Sequence, residues 1–513
     1  MNEQLALLPE YLTAHLQLSL VALLLGALIS VPLGVWVVRH PRLEAALLAV
    51  ASLIQTIPSL ALLAVMVPAL AFLSSVTQAR FGFEVQSIGF VPALIALTLY
   101  SMLPMLRNAV TGLAGVDPAL TEAARGVGMT SWQRLWRVEL PQAVPMIVAG
   151  VRTATVWVVG MTVLSTPVGA PSLGNYIFTG LQTRNSAAVL VGCVSAAALA
   201  MVLDVLIRTL EVGGQGGHKK RTLLALGAIL ALYGYVGHSL FAGRRQPPHG
   251  EIRIGAKSFT EQYILAELLA AHLRARGATD AVRIVQSLGS SVAFDALTSG
   301  AIDVYVEYSG TVWTTLMKRP DTVPREVLQA QVRAFLAEHD GVAVSATLGF
   351  ENTYGLAMPR KEAARRNITD IPTLAAVAPT LRVAGDYEIF GRAEWAALQR
   401  TYNLTFASQR SMDPALMYEA VAHGSVDVIA AYSSDGRLAT QDMIVLPEPR
   451  HVIPPYDALV LTGPGLRHNQ AALQALAELG GKLSLTDMQR LNAEVDAGRG
   501  SPSDVARRWV EAH

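Results

Sequence analysis

Residues 222–262 read TLLALGAILALYGYVGHSLFAGRRQPPHGEIRIGAKSFTEQ, and across them the chain passes from a lipid solvent to an aqueous one. Its first part, ending near Ala242, is an apolar run close to the ~20 residues that a helix needs to cross a bilayer. Ala242 to Gly250 is a short polar linker carrying Pro247 and Pro248, and from Glu251 onward charges return every few residues. Before this junction, residues 11–38, 45–73, 88–106, 143–165 and 186–207 are further long apolar runs, so six spans are expected in all. After it, period-2 and period-3.6 patterns alternate as in an α/β domain.

An average of 52% hydrophobic and 15% charged residues is too apolar for a soluble protein and too polar for a purely membrane one, which agrees with two domains. The net charge of +1, with Lys and Arg scattered, argues against nucleic acid as a partner. Cys193 is the sole cysteine, so an intramolecular disulfide and a Cys-rich metal site are both excluded.

Lys and Arg favour the cytoplasmic ends of spanning helices. Arg39 and Arg42 follow the first span, Arg107, Arg125, Arg134 and Arg137 lie between the third and fourth, and Arg208, Lys219, Lys220 and Arg221 between the fifth and sixth. The opposite loops offer Arg80 and Arg184. This asymmetry places the amino terminus and the whole second half outside the cytoplasm, with the chain in a cell (inner) membrane. The first span is too long for a signal h-region and lacks a preceding basic stretch, so no cleavable signal peptide is expected.

The connection after the third span is patterned. Asp117 ahead of Pro118 is a helix start; Leu120, Ala123 and Ala124 share one face and Glu122 and Arg125 another, and Gly126 and Gly128 end the helix. A short amphipathic helix is expected here, either lying along the membrane surface or receiving a partner. Glu122-Ala123-Ala124, three residues, Gly128, nine residues, then Val138-x-Leu140-Pro141 resembles the coupling loop by which ABC-importer permeases dock on their ATPase. Gln55-Thr56-Ile57-Pro58-Ser59-Leu60-Ala61-Leu62, Leu106-Arg107-Asn108 and Val151-Arg152-Thr153-Ala154 resemble permeases of glycine betaine, carnitine and choline importers, over about residues 11–215. Pro167 to Gly174 is similar to the family's loop beneath the solute receptor.

This resemblance implies an N-terminal all-α polytopic membrane domain of the ABC type I importer permease, MetI-like kind over residues 1–215, and a sixth transmembrane helix with linker over 216–249. A homodimer would form the pathway and two ATPase subunits would drive it. No Gly-x4-Gly-Lys-Ser/Thr phosphate loop occurs, so ATP and Mg chemistry is assigned to a separate ATPase and no cofactor to this chain. Pro32, Pro58, Pro68, Pro92, Pro104 and Pro145 interrupt the spans, most of them read as ordinary helix packing. Gln55 and Arg152 are the polar exceptions, with Arg152 either functional or snorkelling to the cytoplasmic end.

The second half opens with a strand, a turn and a helix start in Ile252 to Gln262, and strand or helix signals recur at Val282–Gln286, Val292–Thr298, Val304–Glu307, Leu356–Met358, Leu381–Ala384, Met417–Ala422, Val426–Ala430 and Leu459–Leu461. Two α/β lobes with a cleft at strand carboxyl ends are expected. Tyr308, Tyr354, Tyr432 and Tyr456 each fall at a strand end or turn beside small polar residues. Such rings are most often edge packing, but arranged around a methylated ammonium they attract it through their faces.

The four tyrosine motifs and Ser258-Phe259-Thr260-Glu261-Gln262 resemble the osmoprotectant-binding proteins over most of residues 251–513, implying a two-lobed periplasmic-binding-protein (type II) domain across 250–513. Carried over, the aromatic cage is Tyr308, Tyr354, Tyr432 and Tyr456, with Gln262 and Thr311 holding the polar end of the ligand. Ser290-Ser291 stands where choline-restricted relatives carry an acidic residue, which makes Ser291 a candidate contact and a strict choline site doubtful. Gly385 to Trp395 is similar to fused permease-receptor chains that import ergothioneine, and makes Arg392 a candidate carboxylate partner. The competing reading of Arg392 is a surface salt bridge with Asp386 or Glu394.

The expected function is ATP-driven import of glycine betaine, choline, carnitine or ergothioneine. Three alternatives compete with it: a tethered solute sensor without transport, an importer of another small solute, and an anchored enzyme. The second half has no nucleophile elbow, no His-x3-His spacing and no phosphate loop, and His272, His339, His423 and His451 are dispersed.

Overall fold

The computed structural model describes residues 2–81, 85–183, 185–214, 219–242, 250–279, 281–319, 321–339, 341–386 and 388–513. The chain forms two compact units, residues 1–178 with 187–247, and residues 179–186 with 248–513.

In the first unit, Leu7–Val37, Phe90–Ala114, Ser131–Val168, Ser186–Gly213 and Lys219–Phe241 are long and apolar enough to cross a membrane. The apolar run 45–73 is not a single rod: Pro41–Thr56 and Ser59–Ser74 meet at 97°. The cause is local, because Ile57 takes the extended conformation (φ −67°, ψ 128°) that a residue before proline prefers, and Pro58 has no N–H to continue the ladder. Counting the bent pair as one span gives six. If it turned back instead, Arg107, Arg125, Arg134 and Arg137 would fall on the wrong side of the membrane. Pro32, Pro68, Pro104 and Pro145 lie inside continuous helices, as the packing reading expects.

Small residues bring the helices of this unit together, since lipid offers no hydrophobic drive and close backbone contact must supply the attraction. A Cβ on Gly34 would lie 2.9 Å from that of Ala109, and one on Gly150 2.7 Å from that of Asn108. Polar groups are matched across the same seams. Leu173 donates its N–H to His15 Nδ1 at 3.3 Å, which leaves Nε2 to donate to the Val159 carbonyl at 3.0 Å. Arg152 does not simply snorkel: it is ion-paired with Asp204 at 2.6 Å and Glu211 at 3.4 Å, joining helix Leu140–Thr162 to helix Ser186–Gly214. Gln55 is half-buried and donates to the Tyr100 carbonyl at 3.5 Å.

Among the described residues the second unit holds ten strands: β1 (Ile252–Lys257), β2 (Val282–Leu288), β3 (Val304–Tyr308), β4 (Ala343–Glu351), β5 (Tyr354–Pro359), β6 (Arg382–Gly385), β7 (Ser408–Ser411), β8 (Val428–Tyr432), β9 (Met443–Val445) and β10 (Asp457–Thr462). They form two five-stranded sheets, ordered β2-β1-β3-β10-β4 and β7-β6-β8-β5-β9. In each, the first three strands pair in parallel and the fourth lies antiparallel between the third and the fifth. The chain therefore crosses between lobes twice, at Asn352–Thr353 and at residues 446–456, and Asn352 N–H donates to the Tyr456 carbonyl at 2.9 Å to tie the crossings together. Helix Thr260–Ala275 lies against β1 and buries Tyr263, Ile264, Leu268 and Leu269, the apolar positions of its 3.6-residue period. Residues 292–298 and 417–422 are helical, within Ser290–Thr298 and Pro414–Ala422.

Candidate functional site

The site is set by register. Tyr308 ends β3 and Tyr432 ends β8, while β5 and β10 run antiparallel to them and so begin at the same sheet edges. Tyr354 pairs directly with Tyr432 across β5 and β8, which puts both rings on one face with centroids 4.9 Å apart. Tyr456 precedes β10 and meets Tyr354 edge-on at 6.1 Å. The structure thus links three of the sequence-derived tyrosines by direct ring contact. Phe259, at the start of helix Thr260–Ala275, joins the fourth: it is stacked with Tyr308 at 6.4 Å and with Tyr432 at 6.0 Å and 6°. The sequence reading quoted Phe259 within its motif without a role. Its position within the two-residue turn between β1 and that helix was the available signal.

Each tyrosine hydroxyl is anchored to a carboxylate. Tyr308 donates to Glu261, Tyr432 and Tyr354 both donate to Asp386 (the latter at 2.9 Å), and Tyr456 donates to Glu394. Asp386 also accepts the backbone N–H groups of Glu388 at 3.0 Å and Ile389 at 2.7 Å. Burial pushes the Tyr308, Tyr354, Tyr432 and Tyr456 phenols above their usual value, so they stay neutral donors. Burial likewise raises Glu261, against the pull of its donors Tyr308, Asn352 and Asn492. Behind Tyr308, the buried Lys257 ammonium meets Glu307 at 2.5 Å. The rings are therefore fixed in position through their hydroxyls, and two of them already meet cations, Lys257 over Tyr308 at 5.5 Å and Arg392 over Tyr354 at 5.4 Å.

Gln262 uses its amide hydrogens on the Val306 carbonyl at 3.0 Å and the Tyr308 hydroxyl at 3.1 Å. Thr311 is buried one turn beyond Tyr308. The Arg392 side chain is 11% exposed and makes the salt bridge with Glu394 at 3.5 Å that the competing reading named, though not at the open surface: it donates to Glu388 at 2.8 Å and to the Tyr456 hydroxyl at 3.3 Å, and stands over the Tyr354 ring at 5.4 Å. The side chain of Ser291 lies outside the described residues. A larger hollow of about 470 Å³ runs along both crossovers, but of the five rings only Tyr354 borders it.

Asp386 holds two rings at once, so Asp386→Ala should strand two buried hydroxyls and two backbone donors at a cost of about 2–4 kcal/mol. A clear drop in the thermal midpoint of the detergent-solubilised chain is expected; an unchanged midpoint would contradict the anchoring role.

The other sequence-derived residues lie on and beyond helix Pro118–Gly126. Asp117 caps helix Pro118–Gly126 by accepting the Ala119 N–H at 2.8 Å. Glu122 and Ala123 are exposed, Ala124 is buried, and Gly128 sits at φ +80°, which glycine adopts without strain. Leu140, half-buried, and Pro141, exposed, open helix Leu140–Thr162.

A helical membrane unit bearing such a loop, joined to a two-lobed binding domain, defines a solute importer rather than an enzyme. Residues 250–512 match the substrate binding domain of ABC-type glycine betaine transport systems, and residues 23–212 the inner membrane component of binding-protein-dependent transport systems. The chain is similar to the ergothioneine transport permease/ergothioneine binding protein EgtU of Helicobacter pylori, 27% identical over 94% of this chain and 86% of that one. It is similar also to the glycine betaine/carnitine/choline permease OpuCB of Bacillus subtilis, 38% identical over 38% of this chain and 83% of that one. A solved glycine betaine/carnitine/choline ABC transporter structure matches 51% of this chain and 98% of its own at 26% identity, TM-score 0.45.

The chain belongs to the osmoprotectant-type ABC importers, with permease and substrate-binding domain fused. It is a multi-pass inner-membrane protein whose C-terminal domain faces out of the cytoplasm, and it imports a small solute of the quaternary-ammonium class. It works with a separate ATPase that uses ATP and Mg.

Proposed function

We propose that Tyr308, Tyr354, Tyr432 and Tyr456, together with Phe259, receive the quaternary ammonium of the imported solute. The observation that carries this is the anchoring of each tyrosine hydroxyl to a carboxylate behind the cluster. A methylated ammonium desolvated against such rings gains about 2 kcal/mol per contact. Gln262 holds Tyr308 in place, Thr311 lines the polar end, and Arg392 meets a ligand carboxylate. Glycine betaine, choline, carnitine and ergothioneine are the candidate cargoes.

The membrane part acts as a homodimer, residues 1–215 forming the pathway, 216–249 the last helix and linker, and 250–513 the receptor. The binding domain closes on its ligand about the two crossovers, and ATP-driven movement of the partner reaches the pathway through the Glu122 loop. Calorimetric titration of the full chain in nanodiscs with the four solutes tests the cage. Saturable binding of at least one is expected, and binding of none would remove the quaternary-ammonium site.

A further inference from the structure

Among the buried polar atoms that lack a hydrogen-bond partner among the described residues, two belong to an adjacent pair at Tyr456: Arg392 Nε and Glu394 Oε2. They differ in kind, since the guanidinium can only donate and the carboxylate oxygen accepts. The rest of each side chain is committed. Glu394 Oε1 accepts from Tyr456 and, at 3.1 Å, from Thr314, and Arg392 Nη2 and Nη1 donate to Glu388 and Tyr456. Glu394 is 2% exposed and Arg392 11%, so solvent does not readily serve them, and a buried polar group left unpaired is costly. Both stand where Tyr354 and Tyr456 meet edge-on, next to the faces assigned to the ammonium.

We infer that Arg392 and Glu394 form a paired donor–acceptor subsite selecting a quaternary ammonium solute that carries both a carboxylate and an O–H or N–H donor. The inference rests on the cage reading above. The ligand carboxylate takes the Arg392 Nε–H and draws Nη2 from Glu388, whose half-exposed side chain forms a weak pair. The ligand's own donor takes Glu394 Oε2. Glycine betaine has the carboxylate without the donor, and choline the donor without the carboxylate. Carnitine, with its hydroxyl, and ergothioneine, with its ring N–H, satisfy both, and a site built to hydrogen-bond a group discriminates strongly against analogues that lack it.

Titrating the full chain in nanodiscs with all four solutes tests this. Carnitine or ergothioneine should bind about tenfold or more tighter than both glycine betaine and choline, from one extra buried hydrogen bond, and whichever of the two is tighter names the second group. Glu394→Gln should shrink the ratio of that affinity to the affinity for glycine betaine, since any loss through the Tyr456 anchor lowers both alike; an unchanged ratio overturns the subsite. Equal or tighter binding of glycine betaine or choline to the native chain overturns the subsite and leaves the cage standing. Binding of none of the four overturns both.

Discussion

Tyr308→Ala with Tyr432→Ala should lower affinity for the bound quaternary ammonium by about a thousandfold, the loss of two desolvated cation–π contacts of about 2 kcal/mol each. These two rings are the ones on which Phe259 stacks, so removing them opens the cluster from both sides and readmits water. Their hydroxyls are tied to different carboxylates, Glu261 and Asp386, so neither loss is made good by the other's anchor. The measurement is calorimetry on the full chain, with capture of the ATPase partner as the control. Affinity within tenfold of the native chain would show that the rings only pack the cleft.

Glu122→Lys and Gly128→Val should each reduce ATP-driven uptake to near background while solute binding is unchanged. Glu122 is exposed on a short, capped helix in which Ala124 is buried, so its own packing loses little on substitution. Gly128 holds φ +80°, and a β-branched residue there must move the turn that aims the loop. Losing one dominant docking contact weakens ATPase association about 30-fold. Uptake in proteoliposomes, beside binding to the same preparation, separates the outcomes: native uptake in both variants would mean that coupling lies elsewhere.

These two experiments probe sites that were legible to different depths. Helix Pro118–Gly126 was readable because its information is local: Asp117, Pro118, the Ala pair and Gly128 lie within a dozen positions and act on one another through the backbone. The four tyrosines were found because strand ends and turns leave small polar residues beside them. Phe259 received no role and Asp386 only one as a salt-bridge partner, because a ring's neighbours and a carboxylate's donors depend on which strands become adjacent. Asp386 meets Tyr354 and Tyr432 only because β6 and β5 flank β8. β4, among the strands without an early signal, pairs with β10 more than a hundred residues later.

By itself, the amino-acid sequence determined the change of solvent near residue 245, the apolar runs, the outward placement of the second half and the strand–helix alternation. Each of these follows from hydropathy, charge placement or period, which act over short stretches of chain. The tertiary structure alone decided that the second run breaks by 97° at Pro58, that Arg152 is paired with Asp204 and Glu211, and that Arg392 meets Glu394 away from the open surface. Those outcomes depend on how segments far apart in the chain pack, and the energy of a buried charge or an unpaired polar atom exists only once its surroundings have closed around it.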